Sequence, residues 1–305
     1  MAKAVRVLLA VLAVLSLAIW YFLFTAAAVP AKARFSLDLA ALRAAAGPVE
    51  ALPEKAFAEE VARAAIPALG VVVGGGGQGL GTFTFGFYAW QFVYEGGASA
   101  VIDAVHSPAF HAANYSGNPY RPEGWEHQVK ALGAARAIAV THEHHDHLGG
   151  IADAPDFAKL GPALRLTAAQ HANPPFAGVG HAIPGTPALE SGPEGSLHPI
   201  APGLVAISAA GHTPGSQMIY ARLKGGAELL LLGDIAWQHQ NLAEARTRPR
   251  LTSLAMHEDA QAVTHQLRAI LDFRKANPGV DVVIAHDIGE MERRFASGAV
   301  GQGLR

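Results

Sequence analysis

The sequence contains no cysteine. A disulfide scaffold, a thiolate zinc site and a cysteine nucleophile are therefore excluded. Charge is scarce too. Charged residues make up 16% of 305 positions, and Lys+Arg 23 against Asp+Glu 25 leaves a net charge of −2. Without a basic excess, a surface that neutralises phosphates is not expected, and no nucleic-acid partner is called for. Disorder requires low hydrophobicity and high net charge, and a chain that is 50% hydrophobic has the opposite balance. What is plentiful is glycine, proline and histidine, at 33, 19 and 15 residues. The first two imply many tight turns. The histidines gain meaning only from their spacing.

One long apolar run is present. Val7 to Phe24 is broken only by Ser16, follows Lys3 and Arg6, and carries Trp20 and Tyr21 near its far end. As a helix it would span about 27 Å, close to the hydrocarbon thickness of a bilayer. A cleaved signal peptide usually has a shorter apolar region, although Ala26 to Ala28 offers a small-residue cleavage site. The expectation is a transmembrane signal-anchor, with residues 1–6 in the cytoplasm and the rest on the periplasmic or extracellular face. Secretion after cleavage is the alternative. The membrane is then a partner through this helix.

The remainder divides into an entry segment, 29–70, and one larger domain, 71–305. Leu37 to Arg43 and Glu54 to Ala65 are Ala-rich and read as short helices, bounded by Gly47-Pro48 and Pro67. The glycine-rich stretch Val71 to Gly81 lacks a following Gly-Lys-Ser/Thr and reads as a turn, not a phosphate cradle. Thr82–Phe87, Gln91–Tyr94, Ser99–Asp103 and Ala137–Val140 read as strands, as do Leu204–Ser208, Met218–Arg222, Glu228–Leu232 and Asp281–Ala285. Helices are predicted over Trp125–Leu132 and 258–276, and loops over 107–126, 172–203 and 236–256. Strand clusters in both halves with helices between them suggest two packed sheets covered by helices, an α/β (α+β) architecture.

The informative stretch directly follows a strand. Thr141-His-Glu-His-His-Asp-His-Leu-Gly-Gly150 contains H-x-H-x-D-H as His142, His144, Asp146 and His147. On extended backbone His142 and His144 point the same way and can meet one ion. Asp146 and His147 follow a change of direction and can face a second point. Imidazole and carboxylate together suit zinc and similar divalent metals. At this His frequency such a match arises by chance roughly 0.002 times in a chain of this length. A solvated His-rich loop is the plainer alternative. His212, Asp234 and His286 also each follow an apolar strand, where a sheet edge presents side chains rigidly. Asp103, at another strand end, is a candidate to orient a ligand histidine.

Together these motifs, from about Thr82 to about Arg294, resemble the metallo-β-lactamase superfamily of metal-dependent hydrolases. The resemblance implies a four-layer αββα sandwich with a dinuclear site at one edge. It implies His142, His144 and His212 on one divalent metal, Asp146, His147 and His286 on a second, and Asp234 between them, with a bridging hydroxide as nucleophile. Zinc is the first expectation for both ions, with manganese, iron or cobalt as alternatives. Asp146 would also serve catalytically, orienting the nucleophile and passing its proton to the leaving group.

Gly211-His-Thr-Pro-Gly-Ser-Gln217, Asp234-Ile-Ala-Trp237 and His286-Asp-Ile-Gly-Glu290 are similar to the N-acyl-homoserine lactonase-like branch. That branch has Tyr three residues after the bridging Asp. Here Trp237 stands there, and indole offers one N–H donor but no phenol. Trp237, Tyr115 and Tyr120 are therefore the expected substrate-binding side chains. The expected activity is hydrolysis of a small lactone, ester or similar carbonyl compound. A β-lactam or thioester hydrolase of the same superfamily, or a metal-binding scaffold without catalysis, are the alternatives. Arg246, Arg248 and Arg250 could serve an anionic group or form a solvated basic turn. His145, between ligands, is expected to face solvent, and His106, His111 and His239 to be polar loop residues or to line the pocket.

Overall fold

The computed structural model describes residues 2–172, 189 and 192–305. The strands are β1 (Lys55–Pro67), β2 (Thr82–Val93), β3 (Ser99–Ile102), β4 (Ala137–Ala139) and β5 (Leu197–Ala201). They continue with β6 (Leu204–Ser208), β7 (Gln217–Arg222), β8 (Glu228–Leu231), β9 (Asp281–Val283) and β10 (Gly301–Gln302). The helices are α1 (Ala2–Phe24), α2 (Leu39–Ala45), α3 (Ala68–Val71), α4 (Pro108–Asn114), α5 (Pro122–Ala134) and α6 (Gly149–Ala152). After them come α7 (Ala168–Ala172), α8 (His239–Ala243), α9 (Arg250–Ala255), α10 (Ala260–Ala276) and α11 (Ile288–Ser297).

Two five-stranded sheets form, in the orders β10-β1-β2-β3-β4 and β5-β6-β7-β8-β9. Their inner faces meet in a core that includes Trp90, Phe92 and Ile102 from one sheet and Leu204, Ile219 and Leu231 from the other. The outer face of the second sheet packs Val205, Ile207 and Tyr220 against Val263, Leu267 and Ile270 of α10. The outer face of the first packs Val101 and Ile138 against Ala131 and Leu132 of α5. The order of layers is helix, sheet, sheet, helix, as the alternating apolar faces require.

The segment Glu54 to Ala65 corrects the sequence reading. It is not a helix but most of β1, paired along its length with β2 and, at Phe57 and Ala58, with β10. Ala and Glu have high helix propensity, yet tertiary pairing overrides it. The register shows why alanine is used. Ala56, Ala58, Ala62 and Ala64 stand opposite Phe92, Trp90, Phe87 and Phe85. Small side chains on one strand make room for the rings of the next. β2 is also longer than expected, running unbroken through Gly86. The expected loop 107–126 contains α4 and the start of α5, and 236–256 contains α8 and α9. Of the expected loop 172–203, residues 173–188, 190 and 191 lie outside the described residues, and 197–201 form β5.

Two parallel pairs set the functional edge. β3 and β4 run parallel with Ile102 opposite Ala139, and β8 and β9 run parallel with Leu231 opposite Val283. Parallel strands end at the same side. The residues that follow them are therefore brought together in pairs: Asp103 beside Thr141, and Asp234 beside His286.

α1 is long and apolar enough to cross a membrane by length and composition, with a mean hydropathy of 2.7 and none of its apolar window buried. It packs against α3, the glycine-rich turn and α9.

Candidate metal centre

The loop from Thr141 to Leu148 leaves β4 and enters α6 through Gly149 and Gly150. A Cβ on Gly150 would come within 2.4 Å of the Gln128 amide and the Val105 carbonyl, so only glycine lets the turn close there. The loop carries four of the expected ligands. His212 comes from the turn after β6, Asp234 from the turn after β8 and His286 from the turn after β9.

The structure brings all seven together in two groups. Ligand atoms of His142, His144, His212 and Asp234 lie within 4.8 Å of one another, as do those of Asp146, His147, Asp234 and His286. Asp234 belongs to both, and its two oxygens divide between them. Oδ2 is 3.6 Å from His142 Nε2 and 3.3 Å from His212 Nε2. Oδ1 is 3.4 Å from His147 Nε2 and 2.9 Å from His286 Nε2. His144 Nδ1 is 3.0 Å from His142 Nε2 and 3.1 Å from His212 Nε2. Asp146 Oδ2 is 3.6 Å from His147 Nε2 and 3.7 Å from His286 Nε2. A tetrahedron with metal–ligand bonds of about 2.0–2.1 Å has edges of about 3.3–3.4 Å. The donor set and its spacing thus fit two divalent cations, and His147 Nε2 is buried with no hydrogen-bond partner among the described residues.

The outward nitrogens are held in turn. His147 Nδ1 meets Asp103 Oδ2 at 2.9 Å, His212 Nδ1 meets Glu258 Oε2 at 3.0 Å and His286 Nδ1 meets the Gly86 carbonyl at 3.0 Å. An acceptor on Nδ1 fixes the tautomer that leaves the Nε2 lone pair for a metal. Asp103 reaches its place through a left-handed backbone, with φ 60°, which Asp tolerates better than most side chains. Its carboxylate also accepts from Thr141 N at 2.6 Å and Thr141 Oγ1 at 3.0 Å, tying the strand end to the ligand loop. We expect Asp103→Asn to weaken binding of the metal at His147 about 10–100-fold with the fold intact. Competition with a chelating dye checks this, and unchanged affinity would remove Asp103 from the role.

Burial sets the protonation of the group. It holds His144 down at about 3 and His142 well below the usual imidazole value, so both stay neutral and ready to ligate. Burial would also lower His147, but Asp103, Asp146 and Asp234 outweigh it and hold that imidazole well above its usual value. His212 is pushed down by burial and Arg248, yet raised on balance by Asp234 and Glu258. Burial pushes Asp146 up, but His147 and His145 prevail and hold it at about 2, ionised.

Glu258 carries no local motif and escapes sequence reasoning, and the reading of Arg248 is corrected. Arg248 is not part of a solvated basic turn. It is buried, with Nη2 2.8 Å from Glu258 Oε2 and a bond to the Asp234 carbonyl, and its guanidinium lies 4.1 Å from the Trp237 ring centre. Arg246 faces solvent near Glu244, and Arg250 bonds to the end of α1, so the three arginines form no common anion site. Glu143, also unremarked in the sequence, accepts from Thr213 Oγ1 at 2.7 Å and Gly215 N at 3.0 Å, pinning the His212 turn to the ligand loop.

A cavity of about 410 Å³ opens onto the ligands. Ile66, Phe85, Phe87 and Met256 give it an apolar wall, and His144, Asp146, Asp234 and His286 lie at its base. Tyr115 and Trp237 line it. Tyr120 does not line it; its hydroxyl donates to the His106 carbonyl at 3.0 Å, behind the wall. His145 does not face solvent as expected. It lines the cavity, packs 4.3 Å from the Phe110 ring centre and meets the Tyr115 hydroxyl at 2.8 Å. His106 and His111 are buried against each other, and His239 is paired with Asp287.

No family model and no curated protein matches the sequence. Solved structures do match. An N-acyl homoserine lactone hydrolase with the product N-hexanoyl-L-homoserine bound at its catalytic metal centre is similar at 12% identity and a TM-score of 0.61, covering 79% of this chain and 96% of that one. A quorum-quenching N-acyl homoserine lactone lactonase gives 14% and 0.57, covering 83% and 99%. A probable metal-dependent hydrolase from Staphylococcus aureus gives 12% and 0.55, covering 77% and 90%. At such identity the likeness is one of fold: this chain has the two-sheet α/β fold of metallo-β-lactamase-type metal-dependent hydrolases.

Proposed function

We propose that the protein is a dinuclear metal-dependent hydrolase of the metallo-β-lactamase superfamily that opens a small lactone or ester. The observation that carries this is the division of Asp234, one oxygen toward His142 and His212 and the other toward His147 and His286, at the base of an apolar cavity. His142, His144 and His212 would hold one ion, Asp146, His147 and His286 the other, and Asp234 both. An all-nitrogen-and-oxygen donor set favours zinc and also accepts manganese, iron or cobalt. Two such ions would supply a hydroxide at neutral pH and a Lewis acid for the carbonyl.

The chain's own side chains do the rest. Ionised Asp146 accepts the proton released as water adds to the carbonyl carbon and returns it to the departing alkoxide. Phe85, Phe87, Ile66 and Met256 pack the acyl portion and exclude water. Burial, with Asp146 and Asp234 nearby, keeps the Tyr115 hydroxyl protonated, so it is a donor. It lines the cavity with Asp146 and Asp234, and there it would supply the phenol that Trp237 cannot. Small-molecule acyl lactones fit because a related fold holds N-hexanoyl-L-homoserine at its metal centre. We also place α1 in the membrane, with the catalytic portion outside the cytoplasm.

A panel of lactones, esters, β-lactams, thioesters and phosphodiesters on metal-loaded full-length protein tests the reading. Lactone or ester turnover is expected. Turnover of phosphodiesters alone, or of nothing on the panel, would overturn it. Tyr115→Phe is expected to lower kcat about 10–100-fold with little change in metal content; an unchanged kcat would remove the hydroxyl from the reaction.

A further inference from the structure

Single exposed apolar side chains are ordinary on a protein surface, but contiguous ones mark a contact. Outside α1, the large exposed hydrophobic residues among those described are Val49, Leu80, Leu251 and Leu254. All but Val49 belong to segments at the end of α1. Leu251 and Leu254 are on α9, and Leu80, 91% exposed, closes the glycine-rich turn. Both segments adjoin α1.

The junction is specific. Arg250, the first residue of α9, donates its backbone N–H to the Thr25 carbonyl at 3.0 Å, Nε to Thr25 Oγ1 at 2.9 Å and Nη2 to the Ala26 carbonyl at 3.2 Å. Its guanidinium sits 4.7 Å over the Tyr21 ring. Trp and Tyr at the end of an apolar span settle at headgroup depth. A bilayer that surrounds α1 as far as Trp20 and Tyr21 therefore reaches α9. The last residue of α9, Ala255, and the two that follow it, Met256 and His257, form one wall of the metal cavity, and Ile66, shortly before α3, forms another part. The segments that meet the end of α1 thus lead straight into the cavity.

We propose that the metal cavity is seated on the surface of a lipid bilayer, with Leu80, Leu251 and Leu254 in the boundary between headgroups and acyl chains. Its substrate is then an amphiphile partitioned into that bilayer, with the ester or lactone at the polar end of an acyl chain. The substrate clause rests on the hydrolase reading above; the seating clause does not. A bilayer is the occupant because α1, apolar on all sides and unburied, needs lipid along its length and ends at this face.

The absence of cysteine makes one introduced thiol unique. Leu254→Cys is compared with Gly225→Cys, in the exposed turn between β7 and β8, where an added Cβ meets nothing within 4 Å. Each variant, full-length and metal-loaded, carries a polarity-sensitive fluorophore in phosphatidylcholine–phosphatidylglycerol vesicles. The expected result is a blue-shifted probe at position 254, quenched by brominated lipid, and a water-exposed probe at 225. A water-exposed probe at 254 overturns the seating. A probe at 254 that is blue-shifted in vesicles but not quenched by brominated lipid assigns the face to a second copy, and also overturns it. For the substrate clause, the combined variant Leu80→Ser, Leu251→Ser, Leu254→Ser is expected to lower turnover of long-acyl lactones in vesicles about tenfold and to leave short, water-soluble lactones unchanged. Equal loss on both overturns that clause. A shielded probe at 254 with no turnover of either length supports the seating and removes the hydrolase reading.

Discussion

Asp234→Ala is expected to lower kcat/KM by on the order of 10³-fold or more, about 4 kcal/mol of transition-state stabilisation, and to reduce bound metal from about two ions per chain to about one or none. The physical reason lies in its position. Among the seven expected ligands, Asp234 alone belongs to both groups. Its removal takes an anionic donor from each group and leaves five imidazoles, four buried and His144 half-buried, with Asp146 as the only carboxylate among the expected ligands. Two cations close together need an anion between them to offset their repulsion. The Asp234 carbonyl also accepts from Arg248, but that is a backbone contact and survives the substitution. Asp234→Asn separates charge from shape. It keeps one donor oxygen, so it should retain more metal than the alanine variant while still losing most turnover. Elemental analysis and lactone kinetics on the same preparations decide the matter. Two ions per chain and unimpaired turnover in Asp234→Ala would end the dinuclear reading.

The grouping of the seven side chains is largely legible in the sequence because the expected ligands follow strands. His142, Asp234 and His286 stand just beyond short apolar runs, and parallel pairing brings such positions to one edge. Asp103 was legible for the same reason. What pattern reading could not supply was contact between distant segments. Glu258 lies 46 residues from His212 and meets it only because α10 packs on the second sheet. The sequence points His145 to solvent because the expected ligands His144 and Asp146 flank it. The sequence does not say that α4 would fold over it and place Phe110 and Tyr115 against its ring. β1 was misread because its alanines record the bulk of the opposing strand, not a helical preference. Local propensity is a weak guide wherever a residue is chosen for its partner.

Removing the metal ions with a strong chelator should lower the melting temperature of the full-length protein by roughly 5–15 °C, and addition of zinc should restore it. A ligand present at about 100–1,000 times its Kd contributes about 3–4 kcal/mol, and for a chain of this size each kcal/mol is worth about 2–4 °C. The gap should also widen with pH. In the metal-free site His147 has a raised pKa, because Asp103, Asp146 and Asp234 outweigh burial, and His212 is raised as well. A group whose folded pKa lies above its unfolded value of about 6.5 stabilises fully below that pH and loses its contribution as pH climbs through the folded value. At low pH protons therefore take part of the place of the cations among the buried carboxylates. At high pH the metal-free site loses them, while the metal-bound site, whose ligands must be deprotonated, binds more tightly. Calorimetry of the chelated and zinc-loaded protein near pH 6 and near pH 9 measures both gaps. An equal gap at the two values would mean that protons and metal do not compete at His147 and His212, and no gap at either would mean that the seven side chains need no cation to stay together.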